Sequence, residues 1–277
     1  MGIQFIFYNG EMISKDQPIL RAENRSFRYG DGVFETMKWK KKGIVLSHYH
    51  FERLFSSLKL IQVNAESITI ELLLKKITEL CYANDCLDLA RIRLTVYRAE
   101  NNKAEYLIES SPLEKKVAKW NEKGWSVDIH PSVRKSCDAF SNLKSANHLP
   151  YVMAELYREE KGLDECLILN TCNNICDGSK TNIFIVIGKK IYTPALHQGC
   201  INGIMRKFII DELKKQNYVV KQTSVSVALL HRANEVFLTN AIRGVKWVES
   251  FKEKIYSCAE TRKIYNSLSK DIEGVDF

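Results

Sequence analysis

The sequence has few of the residues that mark fibrous, secreted or membrane-spanning proteins. Proline occurs only 5 times and glycine 13 times in 277 residues, which excludes collagen-like chains and Pro/Gly-rich disordered chains. No run of about 18 apolar residues occurs, so the sequence predicts no membrane-spanning helix and no membrane partner. The first residues, MGIQFIFYNGEM, contain neither a basic stretch nor a long apolar core, so we expect no secretory signal there.

Cysteine is too sparse for a disulfide scaffold. The 8 cysteines contain no CxxC pair, so a zinc site is poorly supported and reduced thiols in the cytoplasm are the default expectation. His48 and His50 have no further ligands at useful spacing, so we expect no metal. The cysteines are Cys81, Cys86, Cys137, Cys166, Cys172, Cys176, Cys200 and Cys258.

The charge balance is basic, although the overall composition is that of an ordinary globular protein. Apolar residues make up 45% and charged residues 27% of the chain, and 41 Lys and Arg against 33 Asp and Glu give a net charge of +8. The positive charge is spread along the chain, and no segment interleaves aromatic and basic residues as nucleic-acid modules do. We therefore expect small anionic ligands carrying phosphate or carboxylate, and no nucleic-acid partner.

The first part of the chain reads as strand-rich with two helices. Asn9-Gly10 between IQFIFY and EMIS predicts a tight hairpin, and KKG between GVFETMKWK and IVLSH predicts a second one. Helical spacing of apolar residues predicts helices over 48–62 and 67–83, and strict alternation predicts a strand over 89–98. The pattern dissolves over the polar stretch 99–122, which we interpret as the domain boundary.

Beyond that stretch, strands and helices alternate. WSVDIH, CLILN, NIFIVI and EVFLTN predict strands, while INGIMRKFIIDELKK and SCAETRKIYNSL predict helices. TCNNICDGSKT, which contains Asp177, reads as a loop. A further helix follows Asn147, a candidate cap, and tolerates Pro150 in its first turn. Its apolar stripe, which predicts a buried face, consists of Leu149, Val152, Met153, Leu156 and Tyr157.

Several short segments suit the binding of an anion, although each also has an ordinary structural interpretation. Lys144 follows an irregular stretch and directly precedes a helix, yet it is one of 41 basic residues. INGIMR opens a helix with a glycine turn, which suits phosphate but also suits a plain loop. Arg53 on a helix is by default a surface ion pair, and a carboxylate such as Asp177 is usually a turn residue.

The order of these segments is more specific than any one of them. NRSFRYGDGVFET, HxxRL at 50–54, NLKSANHLPYVMA, GLDECLILN, ICDGSKTNIF, TPALHQGCINGIMR and NEVFLTNAIRGV follow one another along the chain. This series resembles the class IV aminotransferases, the fold-type IV pyridoxal-phosphate enzymes that include branched-chain and D-amino-acid aminotransferases and aminodeoxychorismate lyase. The resemblance covers roughly residues 5–250.

The resemblance implies an α/β fold, in part segregated as α+β, that is like D-amino-acid aminotransferase. A small N-terminal α/β domain, residues 1–118, and a larger C-terminal domain, residues 119–277, would hold pyridoxal 5'-phosphate in the cleft between them, usually in a homodimer. Lys144 would be the catalytic residue, because it matches the lysine that bonds covalently to the cofactor aldehyde. The implied cofactor-binding residues are Arg53, Lys144, Asp177, Lys180, Thr181, Gly203, Ile204, Asn240 and Ala241.

Within that set the resemblance implies separate roles. Arg53 matches the arginine on the cofactor phosphate, and Gly203 and Ile204 match backbone donors to the same phosphate. Asn240 and Ala241 fall at a second phosphate-binding turn, and Lys180 and Thr181 lie in the loop that lines the pyridine ring.

Three positions depart from the family pattern. Asp177 stands where the family commonly has the Glu that pairs with the pyridine nitrogen, and its side chain is about 1.5 Å shorter. Phe34 stands where several family transaminases place a Tyr, and Arg98 is followed by AENNKAEY instead of a glycine-rich segment. Recognition of the substrate is therefore expected to differ from that of the relatives.

Two cues within the family favour the lyase. NGIMRKF is similar to the corresponding segment of bacterial aminodeoxychorismate lyases, and Leu149 stands where branched-chain transaminases carry a Tyr. The expected reaction is cleavage of 4-amino-4-deoxychorismate to 4-aminobenzoate and pyruvate, a step toward folate. The alternative is a transaminase acting on D- or branched-chain amino acids, since D-amino-acid transaminases also have Leu at this position.

Overall fold

The computed structural model describes residues 4–41 and 43–273. The α-helices in this range are α1 Arg25–Tyr29, α2 Ser47–Leu60, α3 Ile70–Ala83, α4 Leu149–Glu160, α5 Ile204–Lys215, α6 Val227–Arg232 and α7 Ala259–Glu273. The strands are β1 Phe5–Tyr8, β2 Glu11–Ser14, β3 Gly32–Lys40, β4 Gly43–Ile44, β5 Leu89–Arg98, β6 Ala104–Pro112, β7 Trp125–Lys135, β8 Glu165–Asn170, β9 Asn174–Gly178, β10 Asn182–Ile187, β11 Lys190–Pro194, β12 Val219–Thr223, β13 Val225–Ser226, β14 Glu235–Asn240, β15 Gly244–Phe251 and β16 Lys254–Ile255.

The chain divides into two compact units, and the α/β fold class predicted from the sequence is confirmed. The N-terminal unit comprises residues 1–117 together with 144–147, and the C-terminal unit comprises residues 118–143 and 148–277. The short segment around Lys144 thus belongs to the N-terminal unit although it lies far along the chain. None of the helices in the described range combines the length and the apolar character that crossing a membrane requires.

The N-terminal unit is built on an antiparallel sheet with strand order β2-β1-β6-β5-β3-β4. Its first hairpin turns at Asn9 and Gly10, whose φ angles of 48° and 90° suit a tight turn, as the Asn-Gly pair predicts. Strand β5 alternates as expected, with Ile92, Leu94 and Val96 fully buried. One face of the sheet therefore forms the core, and its other face carries the polar residues of the alternation.

Helices α2 and α3 confirm the two helices expected from apolar spacing. Both contribute buried residues to the same core as the sheet. In α3 the side chain of Thr69 caps the helix by accepting a hydrogen bond from the N–H of Leu72. The apolar residues of α3 that face the core include Leu73, Ile77 and Leu80, all fully buried.

The region 99–122 contains a strand that the sequence analysis missed. Strand β6 pairs with β5 over nine residue pairs and with β1 on its other side, so it lies inside the sheet. Its core-facing positions, Tyr106 and Ile108, alternate with Glu105, Leu107 and Glu109, two of which are charged. This largely polar outer face makes the segment look like a linker, although the strand is central.

The C-terminal unit has a mixed sheet with strand order β12-β11-β10-β14-β15-β7-β8-β9-β13, and β16 pairs with β15. The predicted strands NIFIVI and EVFLTN coincide with β10 and β14, which pair in an antiparallel register. Asp177 was expected in a loop, and this is wrong, because it lies in β9 opposite Ile168 of β8. The turn that precedes β9 is short, with Asn173 at a φ of 58°, so the chain re-enters the sheet before Asp177.

Helix α4 leaves exposed most of the apolar residues that were expected to be buried. Leu149, Val152, Met153 and Leu156 are exposed, whereas Tyr157 packs against the same core cluster as the buried Tyr151 and Ala154. The spacing of Leu149, Val152, Met153 and Leu156 does mark one helix face, but that face is uncovered. Asn147 is not the cap either, because the cap position is His148; the tolerated proline in the first turn is confirmed.

Candidate active site

Lys144 lies in a short extended segment that is hydrogen-bonded to strand β3. The N–H of Phe34 donates to the carbonyl oxygen of Lys144 at 2.9 Å, and the N–H of Ala146 donates to the carbonyl oxygen of Gly32 at 2.9 Å. These backbone bonds fix the main chain on both sides of the lysine. The Lys144 ammonium nitrogen lies 4.5 Å from the centroid of the Phe34 ring, so its side chain runs along the sheet face that Phe34 occupies.

A second cation contacts the same aromatic ring. The Arg93 guanidinium lies 4.0 Å from the Phe34 ring centroid, and Phe34 is buried. The ion pair of Arg93 with Glu109 is loose, at 3.9 Å between Nε and Oε2. Burial lowers the pKa of Arg93, with Glu109 opposing that change. The polar face of the sheet thus holds an arginine and the candidate nucleophilic lysine on one ring.

Arg53 is part of a buried hydrogen-bonded group instead of the surface ion pair that is its default. Its Nε donates to Oε1 of Glu35 at 2.7 Å, and its Nη2 donates to Oε2 of Glu35 at 2.6 Å. Nδ1 of His50 also bonds to Oε2 of Glu35, at 2.6 Å. Such a two-pronged pair fixes the guanidinium plane, which is what a phosphate anchor requires.

The electrostatics of this group follow from its burial. Burial alone would raise the pKa of Glu35, but the Arg53 guanidinium and the hydrogen bond from His50 lower it to about 2. Burial also lowers the pKa of His50, so at neutral pH its ring is uncharged and Nδ1–H donates to the carboxylate. The other ring nitrogen, Nε2, is buried and has no hydrogen-bond partner within the described range.

We expect the Glu35→Gln variant to lose part of the acid sensitivity of folding. A carboxyl with an ordinary pKa of 4.5 and a folded pKa of about 2 stabilises the fold above about pH 4.5. That contribution, roughly 3 kcal/mol from the pKa difference, disappears as the pH falls toward 2. The free energy of unfolding, measured by urea titration at several pH values, should therefore fall less steeply in this interval for the variant. Parallel curves for both proteins would contradict the role of Glu35.

The C-terminal unit places Asp177 among four hydrogen-bond donors. Oδ2 accepts from Nζ of Lys135 at 3.1 Å, from Oη of Tyr151 at 2.7 Å and from the N–H of Ile201 at 2.9 Å. Oδ1 accepts from Nδ2 of Asn182 at 2.8 Å. Asp177 is only 1% exposed. A buried carboxylate with this many donors is a built site and not a turn residue.

The start of helix α5 fits the binding of a phosphate. Gly203 occupies the cap position and has no side chain to accept from the first-turn N–H groups, which point out of the N-terminal end of the helix and stay available to an anion. The N–H of Gly203 itself donates to the carbonyl oxygen of Ile201 at 2.8 Å. A Cβ on Gly203 would lie 1.8 Å from Oδ1 of Asn182, so the position requires glycine. Asn182 also donates to Asp177, which links the helix start to the carboxylate. The buried Thr239 hydroxyl, for which the described residues offer no partner, is a further candidate donor.

The remaining predicted residues lie in two turns that contact each other. Nδ2 of Asn240 donates to the carbonyl oxygen of Lys180 at 3.1 Å, and Oδ1 of Asn240 accepts from the N–H of Ile242 and Arg243. The Lys180 ammonium pairs with Glu155, and the Thr181 hydroxyl donates to Glu165 at 2.9 Å. Both side chains therefore hold the loop in shape. Ala241 follows β14 in the turn before β15.

The structure brings the predicted residues together within each unit. In the N-terminal unit, Lys144 contacts Phe34 and Arg53 contacts Glu35, two neighbours in β3 whose side chains lie on opposite faces of the strand. Lys144 is nevertheless close enough to His50, which also binds Glu35, for its charge to lower the pKa of that histidine. In the C-terminal unit, Asn182 donates to Asp177 and lies against Gly203, the residue before Ile204. Asn240, the residue before Ala241, donates to the carbonyl oxygen of Lys180. The sequence analysis missed five residues of these groups, namely Glu35, His50, Lys135, Tyr151 and Asn182. Only His50 has a local signal, because it lies one helical turn before Arg53.

Several known proteins are similar to this chain in sequence and fold. The profile of the amino-transferase class IV family matches residues 32–251. Aminodeoxychorismate lyase of Bacillus subtilis is 27% identical over 257 residues, which are 86% of this chain and 83% of that protein. D-alanine aminotransferase of Listeria monocytogenes is 24% identical over 247 residues, 85% of this chain and 83% of its own length. The branched-chain aminotransferase of Thermoproteus uzoniensis, solved with norvaline, has the same fold, with a TM-score of 0.87 at 23% identity, over 99% of this chain and 96% of that one.

Proposed function

The chain belongs to the class IV amino-transferase family and is therefore a pyridoxal-phosphate enzyme, and we propose that it acts as an aminodeoxychorismate lyase. The proposed reaction cleaves 4-amino-4-deoxychorismate to 4-aminobenzoate and pyruvate. The substrate carries one amine and two carboxylates, so a site for it needs a nucleophilic lysine and nearby cations.

The observation that carries this proposal is that two cationic side chains contact the ring of Phe34. Lys144 lies 4.5 Å and Arg93 lies 4.0 Å from the same ring centroid. A substrate amine that reaches Lys144 therefore brings its carboxylates close to Arg93. Because Arg93 is held only loosely by Glu109, at 3.9 Å, exchanging that partner for a substrate carboxylate has a small cost.

Two further features support the lyase, the first over transaminases in general and the second over branched-chain transaminases. NGIMRKF, which forms the start of α5, is similar to the segment found in bacterial aminodeoxychorismate lyases, and Leu149 replaces the Tyr of branched-chain transaminases. The bound cofactor supplies an electron sink for the bond that breaks at the carbon bearing the amine. Lys144 binds the cofactor aldehyde and, once the substrate amine has displaced it, takes the proton from that carbon. In the lyase, pyruvate leaves and the ring that remains becomes aromatic.

The second candidate is a transaminase that acts on D- or branched-chain amino acids. It is supported by relatives of similar identity, since D-alanine aminotransferase of Listeria monocytogenes is 24% identical over 85% of the chain. It uses the same lysine and differs in the step after proton removal, because a transaminase returns a proton to the cofactor and releases a keto acid.

A comparison of substrates with the holoenzyme separates the two candidates. Purified protein is given aminodeoxychorismate, and 4-aminobenzoate and pyruvate are measured as equimolar products. A panel of D- and L-amino acids with a keto-acid acceptor is run in parallel. Equimolar 4-aminobenzoate and pyruvate support the lyase, whereas turnover confined to the amino-acid panel replaces it with the transaminase.

We further propose that all nine residues expected from the sequence contact the cofactor. Lys144 and Arg53 act from the N-terminal unit, through the aldehyde and the phosphate. Asp177 acts on the ring nitrogen. The others act on the phosphate or the ring, and they are Lys180, Thr181, Gly203, Ile204, Asn240 and Ala241. Asn182 is added as the residue that joins Asp177 to the helix start.

We expect Arg53→Lys to weaken cofactor binding by roughly ten- to a hundredfold, because it keeps the charge but loses the two-pronged geometry. Lysine is preferred to alanine here, since Arg53→Ala leaves the buried Glu35 charge uncompensated and destabilises the fold by about 3 kcal/mol or more. Titration of pyridoxal phosphate into the apo form of both proteins measures the effect. Equal dissociation constants would mean that Arg53 serves only Glu35.

We also propose that the protein is a homodimer and that helix α4 contributes to the contact. The exposed face of α4 carries four apolar residues at helical spacing, with Leu149 64% and Leu156 52% exposed. A continuous apolar stripe of this kind on a helix otherwise packed on its sheet indicates a covered surface. The second copy of this chain is the occupant we propose, as in the homodimers usual among proteins that this sequence resembles.

We expect Leu156→Glu to weaken the dimer at least about tenfold, because it buries an unpaired charge in an apolar contact. Sedimentation equilibrium of the wild type and the variant over a range of concentrations measures the change. Tyr82→Glu is the matched control, since Tyr82 is an exposed aromatic residue of a different helix, α3, and is 74% exposed. A wild-type protein that sediments as a monomer would refute the proposed contact.

A further inference from the structure

The two oxygens of the Asp177 carboxylate accept different numbers of hydrogen bonds from their neighbours. Its Oδ2 accepts three hydrogen bonds, from Lys135, Tyr151 and the N–H of Ile201, at 2.7–3.1 Å. Its Oδ1 accepts one, from Asn182 at 2.8 Å. Each carboxylate oxygen has two lone pairs, so Oδ2 is saturated and Oδ1 can accept one more donor. A ligand N–H that binds Asp177 therefore binds at Oδ1.

Lys135 gives this carboxylate a counter-charge from the protein itself. Its ammonium lies 3.1 Å from Oδ2, and the side chains of Lys135 and Asp177 are 9% and 2% exposed. Because both groups are buried, water screens their attraction little. The pair is close to neutral as a unit, and a ligand at Oδ1 meets far less negative charge than a lone carboxylate would offer.

Tyr151 supports the same arrangement from helix α4. Burial raises the pKa of Tyr151 well above its usual range, and the nearby charge of Asp177 raises it further. The hydroxyl of Tyr151 therefore stays protonated and donates to Oδ2. The Lys135 ammonium also lies 5.1 Å from the centroid of the Tyr151 ring, which helps to hold it above the ring. Lys135 and Tyr151 thus reach Oδ2 from two different elements, strand β7 and helix α4.

The other titratable groups around Asp177 add no charge of their own. Burial raises the pKa of Cys200 to about 12 and that of Cys176 well above its usual value, so both thiols are neutral. Arg206 is the next cation, and its guanidinium donates to the carbonyl oxygen of Pro194 and to Gln222. Lys135 is therefore the cation in direct contact with Asp177.

We propose that Lys135 and Tyr151 are positioning residues that tune how firmly the cofactor ring nitrogen holds its proton. They keep Asp177 turned with Oδ1 as the remaining acceptor, and Lys135 offsets the charge of the carboxylate. The ring nitrogen then loses its proton at a lower pH than it would beside an uncompensated carboxylate. This inference rests on the proposed role of Asp177, and it holds for the lyase and the transaminase alike.

For the reaction, this means that the bound cofactor ring would withdraw electrons less strongly. A protonated ring nitrogen withdraws electrons most strongly, and the protein sets its protonation through the charge beside it. An enzyme whose product is stabilised by becoming aromatic depends less on a strong sink than one that must reverse its own steps. The Asp177–Lys135 pair is therefore compatible with the lyase without being evidence for it.

The test is a pH titration of the ring nitrogen in the holoenzyme. The protein is loaded with pyridoxal phosphate labelled with ¹⁵N in the ring, and the ¹⁵N chemical shift is followed against pH without substrate. For Lys135→Met we expect the ring nitrogen to bind its proton roughly ten- to a hundredfold more tightly, moving the midpoint upward, since a neighbouring cation is removed. Lys135→Arg restores the charge and should return the midpoint toward that of the wild type.

Two more variants keep the result interpretable. Lys246→Met removes another buried lysine of the same unit, whose ammonium donates to the carbonyl oxygen of Lys119, and it should leave the midpoint unchanged. Tyr151→Phe removes one donor from Oδ2 and should move the midpoint upward by less than Lys135→Met does. If Lys135→Met fails to bind cofactor, the Tyr151→Phe titration decides the proposal.

An unchanged midpoint in Lys135→Met and Tyr151→Phe overturns the proposal, and so does an equal change in Lys246→Met. A titration that is also insensitive to Asp177→Asn would show that the ring nitrogen does not bind Asp177, which is a failure of the proposed site. The product assay with aminodeoxychorismate is independent of these spectra. If the product assay shows a transaminase and the titration midpoint still depends on Lys135, the proposed reaction is wrong but the inference about Lys135 holds.

Discussion

Replacing Lys144 by alanine should reduce turnover by roughly 10⁴-fold or more and leave the fold intact. In the proposed mechanism one residue supplies both the covalent link to the cofactor and the base that moves the proton, so its removal takes away two contributions to the rate. The fold should tolerate the change because the backbone of residue 144, and not its side chain, is bonded to strand β3 at 2.9 Å. Steady-state rates and thermal unfolding of both proteins measure the two effects.

The assignment of this lysine can be tested without substrate. Borohydride reduction of the holoenzyme fixes the cofactor to the lysine that holds it, and peptide mapping then identifies the residue. We expect the label at Lys144, and a label at another lysine removes the assignment. Lys161→Ala is a suitable control for the rate measurement, since Lys161 is an exposed residue that pairs with Glu160 at 2.9 Å.

Much of the fold can be predicted from local patterns in the sequence. Strand β5 was predicted with its observed bounds, because Ile92, Leu94 and Val96 alternate with polar residues on a half-buried strand. Strands β10 and β14 were predicted because both are continuous apolar runs between turn residues. The first hairpin follows from Asn9-Gly10, whose backbone conformation few other residue pairs adopt.

The errors in the predicted fold have a common physical origin. Periodicity reveals that a face is apolar but not what covers it, and the exposed stripe of α4 shows this limit. Strand β6 was missed for the converse reason, since a central strand with one polar face looks like a linker. Asp177 was placed in a loop because a buried carboxylate in a strand is rare unless its donors are known.

The residues proposed for the site come from the order of segments in the sequence, whereas their partners depend on contacts across the fold and were not predicted. Lys144, Arg53 and Asp177 stand in an ordered series of segments, which sequence reading recognises. Lys135 and Tyr151 contact Asp177 across 42 and 26 residues of chain, and neither position has a local signal. The partners of a buried charge are a property of the folded chain, so only the structure identifies them.

The second large effect is expected for Asp177→Asn, which should lower activity by roughly 10²-fold while cofactor content falls much less. The amide has only one oxygen that can accept hydrogen bonds. If that oxygen stays with Lys135, Tyr151 and the N–H of Ile201, the amide nitrogen faces Nδ2 of Asn182, a donor. Asn182 cannot turn over freely, because its Nδ2 also donates to the carbonyl oxygen of Ile201 at 3.0 Å. The ring nitrogen then loses both its acceptor and the negative charge.

Asp177→Glu separates the charge from the fit. Glutamate is the usual residue of the family at this position and keeps the negative charge, but its carboxylate reaches about 1.5 Å further. Asp177 is 1% exposed and its donors are fixed on four elements or turns, so the extra methylene should cost roughly 1–3 kcal/mol in stability. We expect Asp177→Glu to bind cofactor, to unfold at a lower temperature and to retain more activity than Asp177→Asn. If Asp177→Asn is as active as the wild type, the carboxylate has no part in the reaction. If Asp177→Glu is less active than Asp177→Asn, the placement of the carboxylate by Lys135, Tyr151 and Ile201 matters more than its charge.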